Sequence, residues 1–406
     1  IPQNHLMSVS SSCIKLCLLT SLVGSSFPCL AAEAELSQAL SSSQARLTHL
    51  TSSNTQSANL SSSTWLTGLP SISLSHLGSL DNSNSYEQEL SVNLPFKSPA
   101  LHNSDKQIKQ LAERIHQQQT ALQGLYLSGL LRQSLWEYRQ SEVKLSQLER
   151  KQQLLDKLHR QQKQLTDAGE LPLANTLLLE RESVDIALSR ADILQQQAQS
   201  LALYQQLTGQ DRMPSAIEET DRPLGKGAET LAQHPLWQLL KLQQQQHLLL
   251  IQTQQAGERD PWTVSLTAKN TADTGVDDQQ LGIAVSVPLT LGSALSQSDL
   301  SQWQQANTEQ SLNLDRSALE LKNQWDQLVR QQTNLVEQQR LLTQALALSR
   351  TITEELAKVK DQDQVSYEVW LRRYMEALDT ESRLALNRVS LQQLHSQQLQ
   401  ALGISL

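Results

Sequence analysis

Residues 86–96 read Tyr-Glu-Gln-Glu-Leu-Ser-Val-Asn-Leu-Pro-Phe. In a strand, Tyr86, Gln88, Leu90, Val92, Leu94 and Phe96 share one face and Glu87, Glu89, Ser91 and Asn93 the other. The close of this stretch, Val92-Asn93-Leu94-Pro95-Phe96, returns as Val285-Ser286-Val287-Pro288-Leu289, an offset of 193. Ser71-Ile72-Ser73-Leu74-Ser75 returns as Thr263-Val264-Ser265-Leu266-Thr267 at an offset of 192, and Gly209 of Leu207-Thr208-Gly209 matches Gly403 of Leu402-Gly403 at 194. Three markers at nearly one offset indicate an internal repeat. Each half reads as helix, two strands, very long helix, helix. A stretch holding Pro214, Pro223, Gly225 and Gly227 links the halves.

The expected organisation is a leader over 1–32 and a first repeat over 33–209, with a β-hairpin at about 69–96 and a helical turn at about 167–172. A linker over 210–231 leads to a second repeat over 232–406, with a hairpin at about 262–291 and a turn at about 358–366. Strands of this length fit a tilted crossing of the hydrocarbon layer, and apolar-out, polar-in alternation with aromatics near strand ends is the transmembrane-barrel pattern. Under that reading the lipid-facing residues of the first hairpin are Tyr86, Leu90, Val92, Leu94 and Phe96. Those of the second are Trp262, Val264 and Leu266 on one strand and Ile283, Val285, Val287 and Leu289 on the next. A soluble sheet with one wet face has the same period, so the strands alone do not choose.

The helices tip the balance. Ala100 to Asp167 holds no proline, and Ser293 to Leu402 neither proline nor glycine before Gly403. A helix spanning the first of these stretches is about 100 Å long at 1.5 Å per residue, so it must pack along other helices. Leu145, Leu148, Leu155, Leu158 and Leu165 carry coiled-coil spacing in the first half. Leu321, Trp325, Leu328, Leu335, Leu342, Ala345, Ile352 and Leu356 do so in the second. Gly169 marks a turn, with Pro172 expected in the first turn of the next helix. Shorter helices at about 34–64 and 171–208 hold 31 and 38 residues, together matching the long helix beside them. The expected fold is mainly α: long coiled-coil-like hairpins, plus four strands per chain that contribute to a shared transmembrane barrel.

Composition agrees. Of 406 residues, 4% are aromatic, 18% are charged and 56 are Gln, which suits long helices with wet faces and argues against a large catalytic domain. A net charge of −8 lacks the electrostatic footprint of nucleic-acid binding. No apolar run approaches the roughly 20 residues of a membrane-spanning helix. Cys13, Cys17 and Cys29 all precede residue 30, among Lys15, an apolar run from Leu16 to Val23, and Pro28-Cys29-Leu30-Ala31-Ala32. This is the layout of a secretory signal peptide cleaved after Ala31 or Ala32, and Met7 as the start gives it an ordinary length. A lipidated Cys29 and a buried amino-terminal helix are the alternatives.

The strand segments, the duplicated layout and Leu207-Thr208-Gly209 together resemble the outer-membrane efflux proteins of the TolC family, over essentially the whole mature chain. Ala168-Gly169-Glu170-Leu171, followed by Asn175, is similar to the family's helical tip motif, and the adaptor contacts would lie there. At the second tip Gln362 takes the glycine's place, and Glu368-Val369 resembles the Asp-Val that follows. The resemblance implies a homotrimer with a 12-stranded barrel and a periplasmic tunnel of helices (an α-barrel), located in the outer membrane of a bacterial cell. It also implies a periplasmic adaptor, an inner-membrane pump, often of the proton-driven RND type, and passive conduction. Family members narrow the pore with two acids three apart, which here match Glu368 and Leu371. Asp361 and Asp363 lie close by, so the constriction candidates are Asp361, Asp363 and Glu368; a plain solvated turn flanked by Lys358 and Lys360 is the other reading. For Gly169 a simple helix C-cap stands beside an adaptor contact.

No HExxH pair, glycine-rich phosphate loop or clustered metal ligands are present in the sequence, so no catalysis, cofactor or metal is expected. The competing function is a periplasmic coiled-coil adaptor or scaffold, also exported and Gln-rich.

Overall fold

A computed structural model describes residues 27–52, 65–81, 85–219, 224, 228–257, 262–273, 276–287, 297–360 and 367–406. The first half contains α1 (Phe27–Ser52), β1 (Ser71–Gly78), β2 (Tyr86–Phe96), α2 (Pro99–Asp167) and α3 (Leu173–Thr208). A short α4 (Ala228–Leu231) leads to α5 (Pro235–Gly257), β3 (Trp262–Asp273), β4 (Val276–Ser286), α6 (Gln297–Lys360) and α7 (Tyr367–Ala401). Helix, two strands, long helix, helix therefore occurs twice. The chain forms two compact units, which divide α2 between Gln123 and Gly124 and α6 between Gln324 and Trp325.

One unit holds the sheet, the start of α2, α4, α5 and the start of α6. The sheet is antiparallel, in the order β1-β2-β3-β4. The central pair joins the two repeats, from Phe96 opposite Trp262 to Tyr86 opposite Ala272. In the same unit, Leu111 and Ile115 of α2, four apart and so on one helix face, bury against Leu239 and Leu242 of α5. Helix α5 begins with Pro235, whose missing N–H costs nothing at a first helical position. The residue before it caps the helix: His234 is buried, and its Nδ1 accepts the Leu236 amide at 3.2 Å. Burial pushes the His234 pKa below its ordinary value, which keeps the acceptor form.

The other unit holds α1, α3, α7, the rest of α2 and α6, and the segments after α3 and α7. Its first core joins Leu36, Ala39 and Leu40 of α1 to Leu127, Leu131 and Leu135 of α2 and Tyr204 of α3. A second joins Leu155 and Leu158 of α2 to Leu179 and Ile186 of α3 and Trp370 and Leu371 of α7. Polar contacts run along α2 and α7. Trp136 Nε1 donates to Ser396 Oγ at 3.0 Å, Gln140 Nε2 to Gln393 Oε1 at 2.6 Å, and Arg150 pairs with Glu381 at 3.2 Å. Lys151 pairs with Asp379.

The coiled-coil pattern holds in outline and slips at the ends. Leu155 and Leu158 are buried, whereas Leu165 in the last turns of α2 is exposed and Gln162 is buried a turn earlier. On α6, Leu321 is buried but Ile352 is exposed, with Thr353 buried beside it. A straight α-helix drifts by about 20° per heptad, which carries such a residue off the contact line. Pro172 stands at the N-cap of α3 with φ −63° rather than in its first turn.

Candidate functional site

The sheet gathers an apolar band on one of its faces. On one face Ile72 lies opposite Val92, which lies opposite Leu266, which lies opposite Ile283. The next row is Leu74, Leu90, Ala268 and Leu281, and on the other side come Leu94, Val264 and Val285, then Phe96 and Trp262. Tyr86, Leu90, Val92, Leu94, Phe96, Trp262, Val264, Leu266, Ile283 and Val285 share this one face. Val287 follows β4 in the same phase and is exposed, and Leu289 lies outside the described residues.

From Leu90 to Phe96 the apolar band runs for roughly 20 Å along β2 at about 3.4 Å per residue. A polar row, His76, Gln88, Asn270 and Gln279, crosses all four strands and closes it. Tyr86, beyond that row, approaches His76 to 6.1 Å between ring centroids; the other end carries Phe96 and Trp262.

The opposite face is wet. Ser73 and Ser91 share a hydrogen bond of 2.6 Å, Ser265 Oγ donates to Asn93 Oδ1 at 2.6 Å, and Lys269 pairs with Glu87 at 2.6 Å. Thr267 and Gly282 continue it across the second hairpin. The apolar face has no cover among the described residues: Leu74 is 79% exposed, Ile283 76% and Leu281 91%. Neither β1 nor β4 pairs a strand on its outer side among the described residues.

Ile72 and Leu74 belong to the apolar face without having been singled out. In β1 the phase was obscured by Leu69 and Leu77, of which Leu77 lies opposite Glu87 on the polar face. Pairing to β2 resolves what the Ser-rich sequence leaves ambiguous.

The helical turn after α2 is built by capping. Gly169 N–H donates to Thr166 O at 3.0 Å and Glu170 N–H to Leu165 O at 2.9 Å, with Gly169 at φ +76°. This is the Schellman arrangement, in which the left-handed residue is usually glycine. Ala168, Gly169, Glu170 and Leu171 form the turn, and Leu173 and Leu177 beyond it are exposed. At the second turn, Asp361, Gln362 and Asp363 lie outside the described residues. Glu368 is in α7, with its side chain outside the description. Leu371, the residue at the second acidic position of the resemblance, is 7% exposed and packs in the core with Leu155 and Leu179. A carboxylate there would be buried among apolar side chains, which accounts for the leucine.

Among the described residues no group of three metal-ligating side chains occurs, and no helix is long and apolar enough to cross a membrane.

No protein-family model matches the chain, and no curated protein sequence matches it. Solved structures do. CusC, described in connection with folding and transmembrane channel formation, is 13% identical with a TM-score of 0.66, over 93% of this chain and 92% of that one. The outer membrane protein VceC of Vibrio cholerae is 15% identical with a TM-score of 0.67, over 92% and 96%. The open-state outer membrane channel MtrE of Neisseria gonorrhoeae is 12% identical with a TM-score of 0.61, over 92% and 89%. The duplicated helices and the single four-stranded sheet thus have the fold of these outer-membrane channels.

Proposed function

We propose that the chain is the outer-membrane channel component of a tripartite efflux or type I secretion system. It passively conducts substrates from a periplasmic adaptor and an inner-membrane pump to the exterior. One observation carries this reading: a sheet with one polar face and, among the described residues, one uncovered apolar face and two open edges. In hydrocarbon every backbone N–H and C=O needs a partner, so a lipid-exposed sheet must close on itself. Four strands are too few to close, so several copies share one barrel. The family resemblance favours a homotrimer, in which three copies of the four-stranded sheet give twelve strands.

In this arrangement the apolar face meets outer-membrane lipid and the polar face lines the lumen. The helices extend into the periplasm. The adaptor engages the turn at Ala168–Leu171 and the second turn near Gln362, and the pump, of the RND type, lies beyond it. Asp361, Asp363 or Glu368 forms the narrowest ring. The chain carries out no chemistry of its own, and no nucleic acid is involved.

The test is to purify the mature chain from membranes in detergent and measure its mass and single-channel conductance. A pore-forming species at three times the chain mass is expected. A water-soluble monomer without conductance would overturn the reading in favour of a scaffold.

A further inference from the structure

Arg132 lies on the core face of α2, between Leu131 and Leu135, and is 4% exposed. A guanidinium in such a place must be paired and hydrogen-bonded. Its Nε donates to Glu219 Oε1 at 2.9 Å and its Nη2 to Glu219 Oε2 at 2.6 Å, the two-pronged geometry that arginine makes with a carboxylate. Its Nη1 donates to Gln400 Oε1 at 2.5 Å and to the Ile404 carbonyl at 2.9 Å. Glu219 comes from the segment after α3, Gln400 from the last turn of α7, and Ile404 from the segment after α7. The linker between the repeats and the end of the second repeat therefore meet on one side chain.

The surroundings are shaped to admit them. A Cβ on Gly129, inside α2, would stand 3.1 Å from the Gln400 carboxamide. Gln400 Nε2 donates to the Leu125 carbonyl at 2.8 Å, and the Leu406 amide donates to Ser128 Oγ at 3.1 Å. Residues 210–219 have neither helix nor strand, yet side chains hold them along their length. Tyr204 Oη donates to Gln210 Oε1 at 2.7 Å, the Ser215 amide to Glu35 Oε2 at 3.0 Å, and Gln392 Nε2 to Glu218 Oε1 at 2.9 Å. Met213 and Ile217 pack on the core of α1, α2 and α3. Glu219 is 7% exposed and completes the series.

We propose that Arg132 is a latch: it seats residues 210–219 as a strap and locks the segment after α7 to α2, so that strap and carboxyl-terminal segment open together. The coupling follows from the shared guanidinium. Losing Glu219 leaves a buried cation whose remaining partners, Gln400 and Ile404, must move with it toward water. Losing Gln400 frees the same group from the other side.

The test uses the full chain in detergent micelles. Arg212 lies in the strap and is exposed; Arg181 in α3 is also exposed and is remote from the latch in sequence. Trypsin cleavage at Arg212 is compared with cleavage at Arg181, and amide exchange is followed over residues 402–406. Arg132→Met is expected to speed cleavage at Arg212 by about tenfold and leave Arg181 unchanged, as local opening requires. Gln400→Leu, whose side-chain hydrogen bonds are to Arg132 and the Leu125 carbonyl, should also speed cleavage at Arg212. Glu219→Gln should speed exchange over 402–406. If Arg132→Met does not fold, the other two variants carry the test. The proposal fails if Arg212 and Arg181 accelerate equally, or if each milder variant disturbs only its own side.

Discussion

Helices α2 and α6 occupy the same place in the two repeats and are nearly equal in length, at 69 and 64 residues. They are covered very differently. Helix α2 buries Leu111, Ile115, Leu125, Leu131, Leu135, Trp136 and Leu155, and can even hold the Arg132 charge. On α6 only Leu321 and Thr353 are buried among the described residues, while Leu312, Leu319, Val336 and Leu348 stand exposed. A duplicated outline thus need not mean duplicated burial. Helix α2 is the one on which α1, α3, α5 and α7 fold. Helix α6 carries apolar residues that the described residues of its own chain leave exposed, and in the proposed trimer a neighbouring copy covers them.

Two substitutions test this contrast with the largest expected difference. Leu131 is fully buried in the first core; Leu131→Ala should cost roughly 2–5 kcal/mol of stability, from lost transfer energy plus the cavity left behind. Leu348 on α6 is 66% exposed; Leu348→Ala should cost the single chain no more than about 0.5 kcal/mol. Unfolding by denaturant under conditions that dissociate the oligomer measures both, and equal losses would break the comparison. In the assembled protein Leu348→Ser should lower the trimer fraction on dilution, read as mass.

Sheet and helix differ in what covers their exposed apolar residues, and an inserted charge separates the two cases. Ile283 sits in the middle of the apolar rows, and lipid covers it in the proposed barrel. Ile283→Arg should cost about 2–4 kcal/mol near the bilayer midplane, seen as loss of membrane-inserted protein. Thr267, on the polar face, should accept arginine with insertion intact and with a changed conductance. Leu348→Arg on α6 should lower the fraction of assembled trimer, while the trimers that do form insert normally. If Ile283→Arg inserts normally, the sheet is not a lipid-facing one.

What could be read beforehand follows the same division. The alternation of β2 was legible because each face is consistent over eleven residues. That of β1 was not, because Leu69 and Leu77 fall out of phase. The heptad-like spacing announced long packed helices. It could not distinguish α2 from α6, since a coiled-coil stripe looks alike whether its partner is in the same chain or another. Gly169 marked the turn, because a helix that ends this way needs a left-handed residue. The Arg132–Glu219 pair left no sign: its members are 87 residues apart and belong to no periodic pattern. The constriction candidates depend on resemblance alone. Nothing local in the acids near residue 361 separates a pore ring from a solvated turn.

At the turn closing α2, Gly169→Ala isolates the backbone term, because nothing lies within 4 Å of a Cβ built there. The expected loss is about 1–2 kcal/mol, the left-handed penalty for an L-residue, measured by thermal unfolding. A smaller loss would mean that the turn relaxes into another cap.

The smallest effect concerns the helix that opens the second repeat. His234 caps α5 through Nδ1 and can do so only while that nitrogen is unprotonated. Burial holds its pKa below the ordinary 6.5. A depressed histidine binds fewer protons folded than unfolded, so its contribution is complete above the unfolded value and is lost as pH falls through the folded one. Between neutral pH and about pH 5 the second repeat should lose at most about 1 kcal/mol, the usual worth of an N-cap. Amide exchange over residues 235–239 would show the loss locally. His234→Asn keeps a capping oxygen without a titrating nitrogen and should flatten that pH dependence. His234→Ala should leave α5 frayed at every pH. If wild type and His234→Asn respond to acid alike, the cap does not titrate.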